Sequence, residues 1–155
     1  MTEVAREALG EVDIEALGDE GYRIAVEEQR AFLLGGKTRG IINAVYALLE
    51  EDLGCRWYTK DSQRIPKRSD LRVRVAERCF VPVLEMRDPF FFGAFDEDWS
   101  IQNRTNAPRA VVREEWGGHI NHPDEWFAHT FEQLVPSDEY FDEHPEYYAL
   151  KGGRR

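Results

Sequence analysis

The sequence predicts an α/β fold: a small two-layer unit of half-buried strands and one helix, followed by strands that are buried on both faces. Residues 35–58 hold the clearest helix, with apolar residues at three- and four-residue spacing. Runs in which apolar and polar residues alternate lie on either side of it, which predicts half-buried strands. Over residues 79–86 the apolar character becomes nearly continuous, as in strands buried on both faces of a parallel sheet or barrel.

The predicted central helix has recognisable ends. The hydroxyl of Thr38 can cap its N-terminus, and Gly54 can adopt the left-handed conformation that ends a helix. Its broad apolar face must be covered by a sheet or by another helix. We expect that face to consist of Ile41, Ile42, Val45, Leu48, Leu49 and Leu53.

The segments around this helix predict a hairpin and a further strand. Residues 22–26 alternate in polarity, and residues 31–34 return after a polar turn, which predicts an antiparallel pair. Residues 71–75 alternate apolar with basic side chains and predict another strand.

The C-terminal half is dense in aromatic residues and predicts short elements. We expect a helix over residues 96–103, a long loop over 104–125, a buried strand over 126–131, a helix over 136–143 with Ser137 as N-cap, and a strand over 147–150.

Charge and hydropathy exclude two classes of partner. The net charge is −10, with 30 acidic against 20 basic residues, whereas a nucleic-acid surface concentrates Lys and Arg. No run approaches the roughly 18 consecutive apolar residues of a membrane span. The N-terminal residues also lack the apolar core of an export signal. We therefore expect neither nucleic acid nor membrane as a partner, and the compartment stays undecided.

The Gly36-Lys37-Thr38 triplet resembles part of a phosphate-binding loop. That loop requires an earlier Gly in G-x-x-x-x-G-K-[ST], and Ala31 stands in its place. The residues between suit a strand, so we interpret the triplet as a strand-to-helix turn.

Four residues close in sequence could suggest a metal site: His119, His122, Asp124 and His129. Zinc sites on loops use tighter spacing, often with cysteine, and no cysteine joins these residues. We expect no metal and no cofactor, and a metal-dependent enzyme remains a third hypothesis.

The strongest candidate for a binding residue is the charged side chain at the end of the continuous apolar run. Arg87 follows the run directly, which is where barrel active sites are built, and a guanidinium can bind hydroxyls or carboxylates. The alternative is an ion pair with Asp88 or another nearby acid. Glycoside hydrolysis requires two carboxyls about 5–10 Å apart. The sequence alone cannot show that any two of the nearby acids have this separation. These acids are Glu85, Asp88, Asp96, Glu97 and Asp98.

Several segments together resemble the bacterial family called domain of unknown function 4838. They are ALGDEGYRI, GGKTRGIINAVYALLEEDLGCRWY, the IPKR stretch, VPVLEMRDPFF and HTFEQLVPSDEYFDEHPEYYAL, spanning about residues 17–155. That family is similar in layout to the family 20 hexosaminidases and to alpha-glucuronidases.

The resemblance implies two domains. Residues 1–80 would form a small two-layer α/β accessory domain, and residues 81–155 the first strands of an incomplete (β/α)8 TIM barrel, with residues 81–86 as strand one. Arg87 would then bind sugar hydroxyls at the end of that strand, followed by Asp88 where such barrels usually have Gly. The acid/base carboxylates of such barrels come from later strands, so we expect no catalytic residue here. A complete barrel takes about 250 residues, far more than follow Pro82, which favours a fragment.

We therefore expect the N-terminal part of a carbohydrate-active, glycoside-hydrolase-like protein that is inactive by itself. The candidate sugar-binding residues are Arg87, Asp88, Trp99, Asn103 and His129. The alternative is a complete, non-enzymatic α/β module that binds sugar or protein through its aromatic C-terminal half. An incomplete barrel leaves strand edges and aromatic residues exposed, so we also expect self-association or loose order beyond residue 90.

Overall fold

The computed structural model describes residues 3–27, 29–106, 112–120 and 128–154. The chain divides into two compact units, residues 1–120 and residues 121–155. In chain order the described elements are α1 (Glu3–Leu9), β1 (Tyr22–Val26), β2 (Ala31–Gly35), α2 (Gly40–Glu51), β3 (Arg56–Thr59), β4 (Ser62–Arg64), β5 (Ala76–Phe80), α3 (Glu97–Gln102), α4 (Phe131–Leu134) and α5 (Ser137–Tyr140). Single 3₁₀ turns occur at Glu15–Leu17, Phe92–Phe95, Glu114–Trp116 and Pro145–Tyr147.

The larger sheet is antiparallel, with strand order β2-β1-β5. The predicted hairpin is confirmed, with Ile24 of β1 opposite Leu33 of β2. The strand predicted over residues 71–75 is wrong, because pairing begins only at Ala76. In this register Arg78 lies opposite Ile24, and its guanidinium forms ion pairs with Glu51 and Asp52 at the end of α2.

Helix α2 packs on this sheet through small residues. Ala44 and Ala47 are fully buried against Tyr22, Ile24 and Val26 of β1. Gly40 permits the close approach, because a Cβ there would lie 2.3 Å from the carbonyl oxygen of Gly21. The prediction that Ile41 and Val45 belong to a covered face is wrong, since both side chains are exposed.

The ends of α2 agree only partly with the prediction. Gly54 has a φ of +76°, which confirms the predicted left-handed position after the helix. Thr38 does not cap the helix; its hydroxyl donates to the carbonyl oxygen of Asp19, and the helix begins at Gly40.

A second core lies on the other side of α2. Strands β3 and β4 pair antiparallel, and the Trp57 ring of β3 contacts the Tyr46 ring of α2 edge to face at 5.1 Å. Ile101 of α3 packs with Val112 against Ile42 and Tyr46. The helix predicted over residues 96–103 is confirmed as α3, whose backbone is capped by the Asp96 carboxylate. The predicted domain boundary between residues 80 and 81 lies inside the first compact unit.

The strand predicted over residues 81–86 does not form. Only Cys79 and Phe80 of the apolar run join the sheet, as the end of β5. Pro82 has no N–H to donate to a neighbouring strand, and Val83 is 97% exposed. The described structure is a small mixed α/β protein with antiparallel sheets, and the barrel stays a prediction.

The second unit is built from short helical turns. Phe131 begins α4, so the strand predicted over residues 126–131 is wrong there, while Trp126 and Phe127 lie outside the described residues. The strand predicted over residues 147–150 is also wrong, since a 3₁₀ turn ends at Tyr147. Ser137 is the first residue of α5 and donates its hydroxyl to Glu132 at 2.7 Å rather than capping the helix. No helix in the described part of the chain has the length and apolar character needed to cross a bilayer.

Candidate functional site

A cleft of about 420 Å³ opens in the first unit between the turn over residues 17–20, the segment over residues 81–87 and the loop over residues 117–120. Ligand pockets commonly have volumes of about 300–1,000 Å³. Its apolar wall includes Leu17, Val81, Val83 and Ile120. Its polar lining consists of Asp19, Glu20, Thr38, Glu85, Arg87 and His119.

The base of the cleft is built around one buried carboxylate. Glu20 is only 9% exposed and forms an ion pair with Arg87. A second guanidinium, that of Arg39, is 1% exposed and lies 4.0 Å from the other Glu20 oxygen. Burial lowers the pKa of Arg39 below its ordinary value, while the charge of Glu20 opposes that shift. A buried charge is stable only with partners, so these three side chains hold one another in place.

Arg39 is oriented by its own surroundings. Its Nη1 donates to the carbonyl oxygen of Thr105 at 2.5 Å. Gly117 lies directly against its side chain, since a Cβ at Gly117 would lie 2.3 Å from Arg39 Cγ. The φ of Gly117 is +89°, which also favours glycine at this position.

Asn106 connects both sides of this charged cluster and is fully buried. Its Oδ1 accepts from the backbone N–H of Arg87 at 2.7 Å. Its Nδ2 donates to Glu20 Oε1 at 3.1 Å and to the carbonyl oxygen of Glu85 at 2.7 Å. One amide therefore fixes the Glu20 turn relative to the segment that carries Arg87.

Arg87 lies at the cleft, but most of its hydrogen-bonding capacity is used within the chain. Nε donates to Arg104 O at 3.0 Å, and Nη1 donates to Leu84 O at 2.9 Å and Glu85 O at 3.3 Å. Nη2 donates to Glu20, so one of the five guanidinium N–H groups is left for a ligand. Arg87 thus forms an ion pair with Glu20, which is distant in sequence, whereas the alternative interpretation expected a nearby acid.

The other predicted sugar-binding residues lie elsewhere. Asn103 Nδ2 donates to the carbonyl oxygens of Trp57 at 3.2 Å and Trp99 at 3.0 Å, and the Trp99 indole donates to Tyr58 O at 3.2 Å. These two residues therefore come together, where they attach α3 to β3, and neither lines the cleft.

Asp88 and His129 complete the predicted set. Asp88 directly follows Arg87 and is half-buried, but it is absent from the cleft lining. His129 is exposed in the second unit, with a φ of +58°. Of the five predicted residues, only Arg87 lines the cleft, and their roles in sugar binding stay predictions.

The histidines are divided between the two units. His119 lines the cleft of the first unit, and His129 belongs to the second, while His122 and Asp124 lie outside the described residues. Within the described ranges, no three His, Cys, Asp or Glu side chains are grouped as a metal site requires.

The residues that build the cleft include three that the sequence reasoning missed: Glu20, Arg39 and Asn106. Arg39 had a local signal, since it stands beside Gly40 in the Gly-x-x-Arg-Gly turn, where a large side chain is enclosed by close backbone. Glu20 and Asn106 had none, because 86 positions separate them.

The exposed groups of the lining determine what the cleft can bind. Asp19 and Glu85 are both exposed, and each carboxylate can accept hydrogen bonds from hydroxyl or amine groups. The Thr38 hydroxyl already donates to Asp19 O and can still accept. The cleft is therefore suited to a ligand with several hydrogen-bond donors.

Comparison with known proteins identifies the family. A family model described as "Domain of unknown function (DUF4838)" matches residues 57–155, which is more than half of the chain. Neither the curated proteins nor the solved structures compared with the chain include a match. The matched residues begin at Trp57 of β3 and include Arg87 and His119 of the cleft lining and the buried Asn106. The chain therefore belongs to the DUF4838 family.

Proposed function

We propose that the chain binds carbohydrate in the cleft around Glu20 and Arg87, as the N-terminal part of a carbohydrate-active, glycoside-hydrolase-like protein. The observation that carries the proposal is the cleft itself, in which exposed carboxylates stand beside an apolar wall. A sugar ring presents hydroxyl donors around its edge and C–H groups on its faces, so both kinds of surface have a counterpart in the cleft.

The buried network supports this proposal because it holds the base of the cleft in place. Glu20, Arg87 and Asn106 are joined by hydrogen bonds and an ion pair, while Nε and Nη2 of the buried Arg39 have no hydrogen-bond partner in the described structure. A ligand entering the cleft therefore meets a base whose geometry is already set, which lowers the entropic cost of binding.

In this proposal the chain contributes recognition and no acid/base pair. The parent protein would hydrolyse O-glycosidic bonds with carboxylates from later barrel strands, and residues 81–86 would pair there as strand one. Leu84 is exposed and lies outside the cleft lining, and it offers apolar surface that a neighbouring strand would cover. We expect the chain alone to release no chromophore from chromogenic glycosides; robust turnover would contradict this part of the proposal.

The binding claim is tested by titrating ¹⁵N-labelled chain with glucose and N-acetylglucosamine while recording amide NMR spectra. We expect shift changes at residues 17–20, 85–87 and 117–120. Val81→Trp places an indole in the cleft and should abolish them, whereas Val75→Trp changes an exposed valine outside the lining and should not. Shift changes that survive Val81→Trp, or none with either sugar, would contradict carbohydrate binding in this cleft.

A protein-binding module is the second candidate, favoured by the exposed apolar side chains of Val83, Leu84 and Phe92. A protein-binding module should associate with itself or with another protein, and Phe92→Ser should weaken that association while sugar titrations stay unchanged. Sedimentation velocity of the parent chain and of the Phe92→Ser variant over a range of concentrations measures the self-association and distinguishes this module from the sugar-binding one.

A further inference from the structure

We propose that the cleft selects its ligand by charge, and that it takes amine-bearing or neutral sugars in preference to sugar acids. This inference rests on the proposed carbohydrate binding and adds the class of sugar. The proposal rests on two observations: the basic groups at the cleft are enclosed within the protein, and two acidic groups are exposed at its opening.

The charges deep in the cleft are enclosed within the protein. Glu20 forms an ion pair with Arg87, and Arg39 lies buried beside the same carboxylate, so these three side chains together carry one positive charge. A ligand therefore cannot reach Arg39, which is 1% exposed, and Arg87 offers it a single remaining N–H. The two guanidinium groups that would attract a sugar carboxylate thus offer it only this one N–H, because Nε and Nη2 of Arg39 are enclosed without a hydrogen-bond partner in the described structure.

The charges at the mouth of the cleft are acidic. Asp19 and Glu85 are exposed, and neither carboxylate has a hydrogen bond or ion pair within the described ranges. The exposed Lys37 forms an ion pair with Glu15 at 2.6 Å and also interacts electrostatically with Asp19, which offsets part of the Asp19 charge. Since the whole chain carries a net charge of −10, no distant excess of cations offsets this acidic rim.

The expected selectivity is moderate, because both carboxylates are in contact with water. One ligand charge about 7 Å from two such groups changes affinity by roughly three- to tenfold, and salt reduces the effect. A cationic sugar gains this factor and an anionic sugar loses it, relative to the neutral sugar of the same shape.

The test uses three sugars that share one ring and differ in charge: glucosamine, glucose and glucuronate. At about pH 6 the amine is protonated and the carboxylate ionised, so affinities from NMR titration of the whole chain compare charge alone. We expect glucosamine to bind most tightly and glucuronate most weakly, with the differences shrinking at high salt.

Variants identify the source of the selectivity. Asp19→Asn combined with Glu85→Gln should bring the three affinities together; glucose binding weakens as well, because both carboxylates line the cleft, so the measured quantity is the ratio of the three affinities within one variant. The matched control, Asp138→Asn with Glu139→Gln, removes two acidic residues from α5 of the second unit and should leave the order unchanged.

The outcomes separate the two proposals. Glucuronate binding as tightly as glucose, or an order that persists in the cleft double variant, would overturn charge selection and leave carbohydrate binding standing. Absence of binding by all three sugars would overturn both.

Discussion

Two apolar stretches of the first unit have opposite environments. Strand β1 is almost fully buried, with Ile24 at 0% exposure, whereas the segment over residues 81–86 leaves Val83 at 97% exposure. The two are similarly apolar in sequence. The difference is that β1 has a partner strand five residues away and α2 above it, while residues 81–86 have neither among the described elements. An apolar segment is thus buried in a core only where another strand or helix packs against it.

The backbone explains why the second stretch turns its side chains outward. The carbonyl oxygen of Leu84 accepts from Arg87 Nη1, and that of Glu85 accepts from Asn106 Nδ2. Because these backbone groups are directed into the buried polar network, the side chains of Val83 and Leu84 point away from it and are exposed. In β1 the backbone is paired with strands on both sides, and the side chains of Tyr22, Ile24 and Val26 pack against α2.

The largest expected contrast is in amide hydrogen exchange. Amides of Ile24 and Ala25 in the central strand should exchange only through global opening, at least about 10³-fold more slowly than those of Val83 and Leu84. NMR-detected exchange measures both in one experiment. Strong protection continuing through residue 86 would instead show that this segment is paired as a strand in solution.

Ile24→Ala should lower the free energy of unfolding by about 3 kcal/mol, because it leaves a cavity among Tyr22, Val26 and Ala44. Val83→Ala removes a similar apolar group from an exposed position and should change stability by less than about 0.5 kcal/mol. Urea denaturation followed by circular dichroism compares the two. Equal losses would show that residues 81–86 contribute to the core.

Asn106→Ala should lower the free energy of unfolding by about 2 kcal/mol, since it leaves the Arg87 N–H and the Glu85 carbonyl without their partner. The same denaturation experiment applies, with Gln133→Ala, an exposed amide in the second unit, as the control. Stability equal to that of the control would mean that the network at the base of the cleft is not formed.

The smallest effect concerns Glu97 at the start of α3. Hydrogen bonds from the backbone N–H and side chain of Arg113 lower the pKa of Glu97 below its ordinary value of 4.5. The stabilisation is therefore present above about pH 4.5 and is lost as the pH falls through the folded-state pKa. Glu97→Gln should unfold at lower urea than the parent at neutral pH and match it in acid, whereas Glu27→Gln should match it throughout. A constant difference at all pH values would exclude this linkage.

Local patterns in the sequence determined several elements correctly. Alternating polarity over residues 22–26, followed by a polar turn and an apolar run, predicted the hairpin, and three- and four-residue spacing predicted α2, because strand and helix periods are visible in neighbouring residues. The short helix expected over residues 96–103 is α3. The position of Arg87 after an apolar run also pointed to the part of the chain where the cleft lies.

Only the tertiary structure decided which side chains face inward and which charges meet. Close approach at Gly40 brought Ala44 and Ala47, rather than Ile41 and Val45, against the sheet. The ion pair of Glu20 with Arg87 joins positions 67 residues apart. A charge can be buried only when its partner is present in space, and sequence periodicity carries no record of a partner so distant.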